Sequence, residues 1–243
     1  MHGIQTEPYQ EFAREKLGFE FNDVEHLVNA LTHRSYVNEH RKSTSKHNER
    51  LEFLGDAVLE LVVTEYLFSN FDEAEGILTS WRAALVRTES IGEAGKALGY
   101  EPLVRMSKGE KQGSENARSR ILANAFEAVT GAVYLDQGYE KAKEIINEYI
   151  ISKLPTILEE GSWRDPKSHL QEVAQRVDNH TPQYKVLSES GPDHDKTFIV
   201  GVFVGDKNRG QGSGTSKQLA QQEAAKSALK YYASKTSAKK PSV

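Results

Sequence analysis

Glu49, Glu52 and Asp56 fall at steps of three and four residues within NERLEFLGDAVLELVVTEYL, the stretch from Asn48 to Leu67. If that stretch is helical, the three carboxylates stack one above the other on one stripe. Stacked like charges repel by about 0.2–0.5 kcal/mol per pair on an exposed helix, and by more when partly buried. A cation between them removes that cost, and carboxylate oxygens are the ligands a hard divalent cation prefers. Many carboxylates at helical spacing are simply solvated surface charges. Two features point further here. Gly55 stands beside Asp56 inside the stretch, where it costs about 1 kcal/mol relative to Ala, so another backbone or a ligand is expected close by. A second stretch, RSRILANAFEAVTGAVYL (Arg118 to Leu135), places Asn124 and Glu127 three apart on one stripe. Its Gly131 and Ala132 again permit close helix contact.

The elements that must hold these residues read as helices. In the first stretch Leu51, Leu54, Val58, Leu61 and Val62 recur at helical steps, and Asn48 can cap its start. In the second, Ile121, Leu122, Ala125, Ala128, Val129 and Val133 form the apolar face. Upstream, Tyr9 to Leu17 reads as a short helix ended by Gly18, and a further helix starts at Val24 behind Asn22 or Asp23. Asn38 to His47 and Ser107 to Asn116 are polar and read as loops. Ile77 to Leu98 reads as one helix ended by Gly99, and Lys141 to Leu158 as another. No strand pattern is compelling before residue 160. Glu159 to Pro166 reads as a linker with Gly and Pro.

Beyond that linker the period changes. Ser168 to Val177 is helical in pattern. Tyr184 to Leu187 and Thr197 to Val204 are rich in β-branched and aromatic residues, and Gly210 to Gly214 allows a short third strand. Ser216 can cap a final helix through Tyr232, and the tail from Ser234 is polar, basic and expected to be disordered. The order is α-β-β-β-α.

The 243 residues suffice for one large or two ordinary domains, and the apolar and charged fractions are those of a soluble globular protein. With no cysteine, disulfides and thiolate metal sites are excluded. The N-terminus lacks a basic-then-apolar signal segment, and no apolar run approaches the roughly 20 residues of a membrane span. A cytoplasmic protein with no membrane partner is expected. The net charge of −4 conceals a division. Residues 165–243 hold 12 Lys and Arg against 8 Asp and Glu, and the remainder 19 against 27. Such asymmetry suggests two units with different partners.

The run HNERLEFLGDAVL (His47 to Leu59) resembles the bacterial ribonuclease III family, as do LGFEFNDVEHLVNALTHRSY (Leu17 to Tyr36) and ILANAFEAVTGAVYLD (Ile121 to Asp136). The C-terminal unit resembles a double-stranded-RNA-binding domain through LQE (Leu170 to Glu172), GPDHDKTF (Gly191 to Phe198) and GSGTSKQLAQQEAA (Gly212 to Ala225). The resemblance implies an all-α endonuclease domain over residues 8–158, a linker over 159–164, a small α+β RNA-binding domain over 165–235 and a disordered basic tail over 236–243. It implies a homodimeric endoribonuclease that cuts double-stranded RNA with Mg²⁺, Mn²⁺ being a substitute, to 5′-phosphate and 3′-hydroxyl ends in rRNA and mRNA precursor processing. In the family's pattern Glu52 and Glu127 are metal ligands, with Glu127 and Asp56 catalytic and Asp56 acting through water. Asn124 completes the cluster, and Glu49 lies nearer the substrate cleft. A phosphodiester resists hydroxide because both are anionic, and a divalent cation relieves that repulsion. Oxygen ligands suit such a site.

The RNA-binding residues that the resemblance implies are Ser168, Gln171 and Glu172 on the first helix, His194 in the loop between the first two strands, and Lys217 at the start of the last helix. Such a domain reads duplex shape over about 16 bp. Arg118, Arg120 and the loop Ser107 to Gly113 are expected near the substrate backbone, while His33 reads as structural, and Trp81 and Phe53 as core or interface. An apolar face of Phe53, Leu54 and Ala57 is the expected dimer seam. Two departures stand out. Asn124 occupies a position where the family usually has aspartate, which keeps a cleavage-impaired RNA-binding protein as the alternative. Gln218 stands where a second lysine is common.

Overall fold

The computed structural model describes residues 5–40, 46–192 and 196–237. The chain forms two compact units, Met1–Trp163 and Arg164–Val243. The first is helical, and its described residues include one isolated parallel bridge, Thr32 to Arg105. Its helices are α1 (Glu7–Phe12), α2 (Val24–Ala30), α3 (Arg34–Glu39), α4 (Glu49–Asn70), α5 (Glu75–Leu85), α6 (Thr88–Leu98), α7 (Lys108–Lys111), α8 (Glu115–Gln137), α9 (Tyr139–Tyr149) and α10 (Leu154–Glu160). α1 continues as a π turn over Ala13–Leu17, which Gly18 ends in the left-handed region. Asp23 caps α2 by accepting from the Glu25 N–H.

The unit is built around α8. Eleven consecutive-turn residues from Ile121 to Val133 are buried, so this helix is covered nearly all round. α4 covers one side. A Cβ on Gly55 would overlap the backbone carbonyl of Glu127, and one on Gly131 would overlap the carbonyl of Leu51. The two backbones therefore touch, and only glycine fits at either contact. α6 covers another side, where the buried Tyr100 hydroxyl donates to the Leu122 carbonyl at 2.6 Å.

Several elements differ from their sequence pattern. The single helix expected over Ile77–Leu98 is two, because the chain turns at Val86 and Arg87. Arg82 in the last turn of α5 and Glu89 in the first turn of α6 each suit the helix end they occupy. The helix expected over Lys141–Leu158 also divides, with a 3₁₀ turn at Ile151–Lys153. Pro155 has no N–H and crowds the carbonyl four residues before it, so it sits in the first turn of a new helix, α10. The expected loop from Asn38 is helical through Glu39 as the end of α3, and short α7 lies within the expected loop Ser107–Asn116. Asn48 makes no side-chain cap, since its own backbone is already helical (φ −78°, ψ −13°); it is buried, and its N–H donates to the Thr32 carbonyl at 2.9 Å. On α4 the buried residues are Gly55, Val58, Leu59, Val62, Val63 and Leu67, whereas Leu61 faces outward.

The second unit runs α11 (Pro166–Asp178), β1 (Gln183–Ser190), β2 (Thr197–Val204), β3 (Lys207–Gly214) and α12 (Lys217–Ser237). The strands form an antiparallel sheet in the order β1-β2-β3. Asp165 caps α11 through the Ser168 N–H at 2.9 Å, and Ser216 caps α12 through the Leu219 N–H at 3.2 Å. β3 is longer than its glycines suggested. Gly210, Gly212 and Gly214 alternate on one face, where any Cβ would strike the α12 backbone near Ala228, Ala224 and Ala220. Helix and strand thus lie directly on each other, around Leu170, Val173, Val200, Val202 and Tyr232. α12 also runs past Tyr232, where a tail was expected. Ala233 to Ser237 contain no Gly or Pro to stop it, and residues 238–243 lie outside the described residues.

Candidate active site

The touching backbones of α4 and α8 bring their polar stripes together. α4 supplies Glu52 and Asp56, and α8 supplies Asn124 and Glu127. Glu52 is half-buried beside the Asn124 side chain, which favours its charged form. Burial raises the Glu52 pKa, the negative charges of Glu49 and Asp56 add to the rise, and the neighbouring Asn124 amide opposes it. Glu127 is half-buried as well. Its pKa is pushed up to about 7 by burial and then by Asp56 and Glu52. Asp56 is exposed at the edge of the group.

Glu49 belongs to a different neighbourhood. Its carboxylate lies 3.3 Å from Arg34 Nη1 and 3.6 Å from His47 Nδ1. His33 holds the chain nearby. Its Nδ1 is 2.7 Å from Ser35 Oγ, which in turn accepts from the Ser107 N–H at 3.0 Å. That chain of bonds ties α3 to the start of α7. Burial lowers the His33 pKa, in keeping with a neutral hydrogen-bonding role. Arg118 and Arg120 are exposed on the first turns of α8. Trp81 is in the core and Phe53 is 82 % exposed, so the two fall on opposite sides of the core-or-interface expectation.

The donor set is all oxygen and strongly anionic once Glu127 ionises. Among the described residues no three His, Asp or Glu side chains form a closed metal-ligand cluster. Two or three carboxylates with an amide leave coordination positions for water and phosphate, which is the pattern a hard cation such as Mg²⁺ accepts. The residues present fit that group. They do not fit zinc, which takes mainly Cys and His ligands.

In the second unit Ser168, Gln171 and Glu172 are exposed on α11. Lys217 begins α12, with its Nζ 5.6 Å from the Phe198 ring centroid. His194 lies outside the described residues. Sequence pattern did not single out Tyr100, whose hydroxyl anchors α8 two residues before Asn124. A tyrosine beside a glycine carries no signal of which distant carbonyl it will meet.

Comparison with known proteins is consistent across sequence and structure. The family model described as Ribonuclease-III-like matches residues 23–154, and the double-stranded RNA binding motif matches residues 166–232. A curated Ribonuclease 3 from Listeria monocytogenes serotype 4a is 44 % identical over 220 residues, covering 89 % of this chain and 94 % of that protein. Ribonuclease 3 from Enterococcus faecalis is 43 % identical over 221 residues, with the same shares covered. Among solved structures, a nuclease domain of ribonuclease III from Campylobacter jejuni is 42 % identical, with a TM-score of 0.53. The match covers 60 % of this chain and 98 % of that one, and that domain is described for structural flexibility in a region involved in dimer formation.

Proposed function

This chain belongs to the ribonuclease III family, and on that premise we infer an endoribonuclease that cuts double-stranded RNA at the α4–α8 crossing, with Mg²⁺ as its resident cation. The observation that carries the site is the convergence of Glu52, Asp56, Asn124 and Glu127 from two helices whose backbones touch. Glu52 and Glu127 would hold the cation, with Asn124 offering a neutral amide oxygen beside them. When bound, the cation neutralises phosphate oxygens and makes water more acidic. Asp56, exposed beside the pair, accepts a hydrogen bond from the attacking water and so aims its oxygen at phosphorus. That oxygen bonds to phosphorus as the bond to the 3′-oxygen breaks, and the water's proton passes to solvent. The products are a 5′-phosphate and a 3′-hydroxyl, the latter taking its proton from solvent.

Ser168, Gln171, Glu172 and Lys217 are the proposed duplex contacts of the second unit, supported by its match to the RNA-binding motif. Polar side chains on α11 suit ribose hydroxyls in a minor groove, and Lys217 at a helix N-terminus suits phosphate. The homodimer, the cytoplasmic setting, and the action on rRNA and mRNA precursors rest on the family. Among the described residues no helix is long and apolar enough to cross a membrane.

Incubating the purified protein with a long RNA duplex while titrating Mg²⁺ or Mn²⁺ tests the reading. Cleavage that rises with metal and leaves 5′-phosphate ends is expected. Retained duplex binding with no cleavage at any metal concentration would instead leave a binding protein.

A further inference from the structure

The first turns of α11 and α12 frame a polar cavity of about 360 Å³, whose lining includes Asp165, Lys167, Ser168, Gln171, Tyr184 and Gln218. Lysine side chains are flexible and usually reach out into water. Lys167 does not. Its Nζ donates to Gln221 Oε1 at 2.8 Å, linking α11 to α12, and stands 5.0 Å from the Tyr184 ring centroid. Both of these neighbours are neutral, and the carboxylate in the same cavity, Asp165, caps α11 by accepting from the Ser168 N–H. Among the described residues no carboxylate forms an ion pair with Lys167. In the same cavity the Tyr184 hydroxyl is buried without a hydrogen-bond partner, an arrangement that costs about 1–3 kcal/mol unless water or a ligand supplies one. The opening turns of α12, KQLAQQ, carry a single cation, Lys217.

An ammonium held by Gln221, with no ion-pair partner among the described residues, and an orphan hydroxyl face a polar cavity beside Ser168 and Gln171. We propose that Lys167 is a further duplex-RNA contact, its ammonium pairing with a backbone phosphate while Gln221 and Tyr184 hold it in position. The proposal rests on the reading of the second unit as the RNA-binding domain. It places a second phosphate-directed charge next to Lys217, supplied from α11 and not from α12.

The test is the salt dependence of binding, because each phosphate pairing adds to the slope of log affinity against log salt. The full-length protein is titrated with a duplex of roughly 25 bp in EDTA, so that cleavage does not intervene, across a series of KCl concentrations. Lys167→Met is expected to weaken binding several-fold at low salt and to reduce the slope by about 1. Lys167→Arg should keep the wild-type slope. Tyr184→Phe keeps the ring against Lys167 and should keep the slope. Lys167→Gln replaces the Met variant if that one does not fold. A wild-type slope in Lys167→Met overturns the proposal, and a lower melting temperature with that slope assigns the residue to packing. If Lys217→Met reduces the slope and Lys167→Met does not, only the Lys167 assignment fails. If the wild-type protein does not bind duplex at low salt, the RNA-binding reading fails and takes the proposal with it.

Discussion

An amide stands at residue 124 beside Glu52, where an aspartate would add a like charge, so Asn124→Asp should act on the metal-free and metal-loaded protein in opposite directions. In the metal-free protein Asn124→Asp replaces an amide that favours the Glu52 carboxylate with a fourth carboxylate in a half-buried group. We expect it to lower stability by about 0.5–1.5 kcal/mol at pH 8. With Mg²⁺ present the added charge should lower the metal concentration for half-maximal cleavage and enlarge the stabilisation that metal provides. Thermal unfolding with and without Mg²⁺, alongside a cleavage titration, reads both effects. An unchanged half-maximal concentration would show that position 124 does not act through the metal. Glu127 gives a second measurement. Its pKa rises from 4.5 to about 7 on folding, so between those values the folded metal-free protein binds more proton than the unfolded chain. Its contribution is therefore fully present below about pH 4.5 and is lost as pH rises through about 7. Glu127→Gln should abolish that slope and stabilise the metal-free protein at pH 8 by about 1–2 kcal/mol, after allowance for partial exposure. Equal pH slopes in urea unfolding of variant and wild type would contradict it. The residues themselves were legible in sequence as two acidic stripes. Their unequal titration was not, because the burial of Glu127 depends on which helix covers it.

At the scale of elements, the site depends on how closely α4 and α8 approach. Extra atoms in a packed core cost about 1–3 kcal/mol, and at Gly55 the obstacle is the Glu127 backbone, which cannot rotate away. Gly55→Ala should therefore cost at least about 2 kcal/mol. It should also raise the Mg²⁺ requirement for cleavage, since it pushes apart the helices that carry Glu52 and Glu127. Gly76→Ala is the control: it lies in α5 with nothing near its Cβ direction, and should be neutral or mildly stabilising. Urea denaturation of both variants separates crowding from a general effect of glycine replacement. This close approach was readable from Gly55 and Gly131, residues with a known helical penalty placed beside polar stripes. The breaks at Val86 and Ile151 were less readable, because amphipathic period continues across a turn that keeps the same face inward. β3 was underestimated for a related reason. Alternating glycines read as turn residues in isolation, and their use as a flat bed for α12 exists only once the helix lies on them.

For the whole molecule, the apolar surface that α4 leaves uncovered is the remaining question. Phe53, Ala57, Leu61 and Phe68 follow one another at helical steps along the outer side of α4, and all four are exposed in the protomer, Phe53 at 82 % and Phe68 at 80 %. The sequence placed Phe53, Leu54 and Ala57 on such a seam and Leu61 in one helical period with Val58 and Val62, whereas Leu54 is half-buried against the core and Leu61 is exposed. Both are leucine-like positions in a helix with apolar residues on two sides, and period alone cannot say which side meets its own chain. Burying an exposed side chain of this size stabilises by about 1.5–3 kcal/mol, and a twofold interface buries each one twice. A helix that carries the metal-binding carboxylates and also pairs with its own copy would fix two sites at a set distance, one for each strand of a duplex. Phe53→Ser should then shift the sedimentation of the full-length protein from dimer toward monomer at micromolar concentration. Duplex binding through α11 and Lys217 should persist in that variant, while the paired cuts on opposite strands become uncoupled single-strand nicks. A wild-type protein that sediments as a monomer under the same conditions would remove α4 as the dimer seam and leave its exposed stripe without that function.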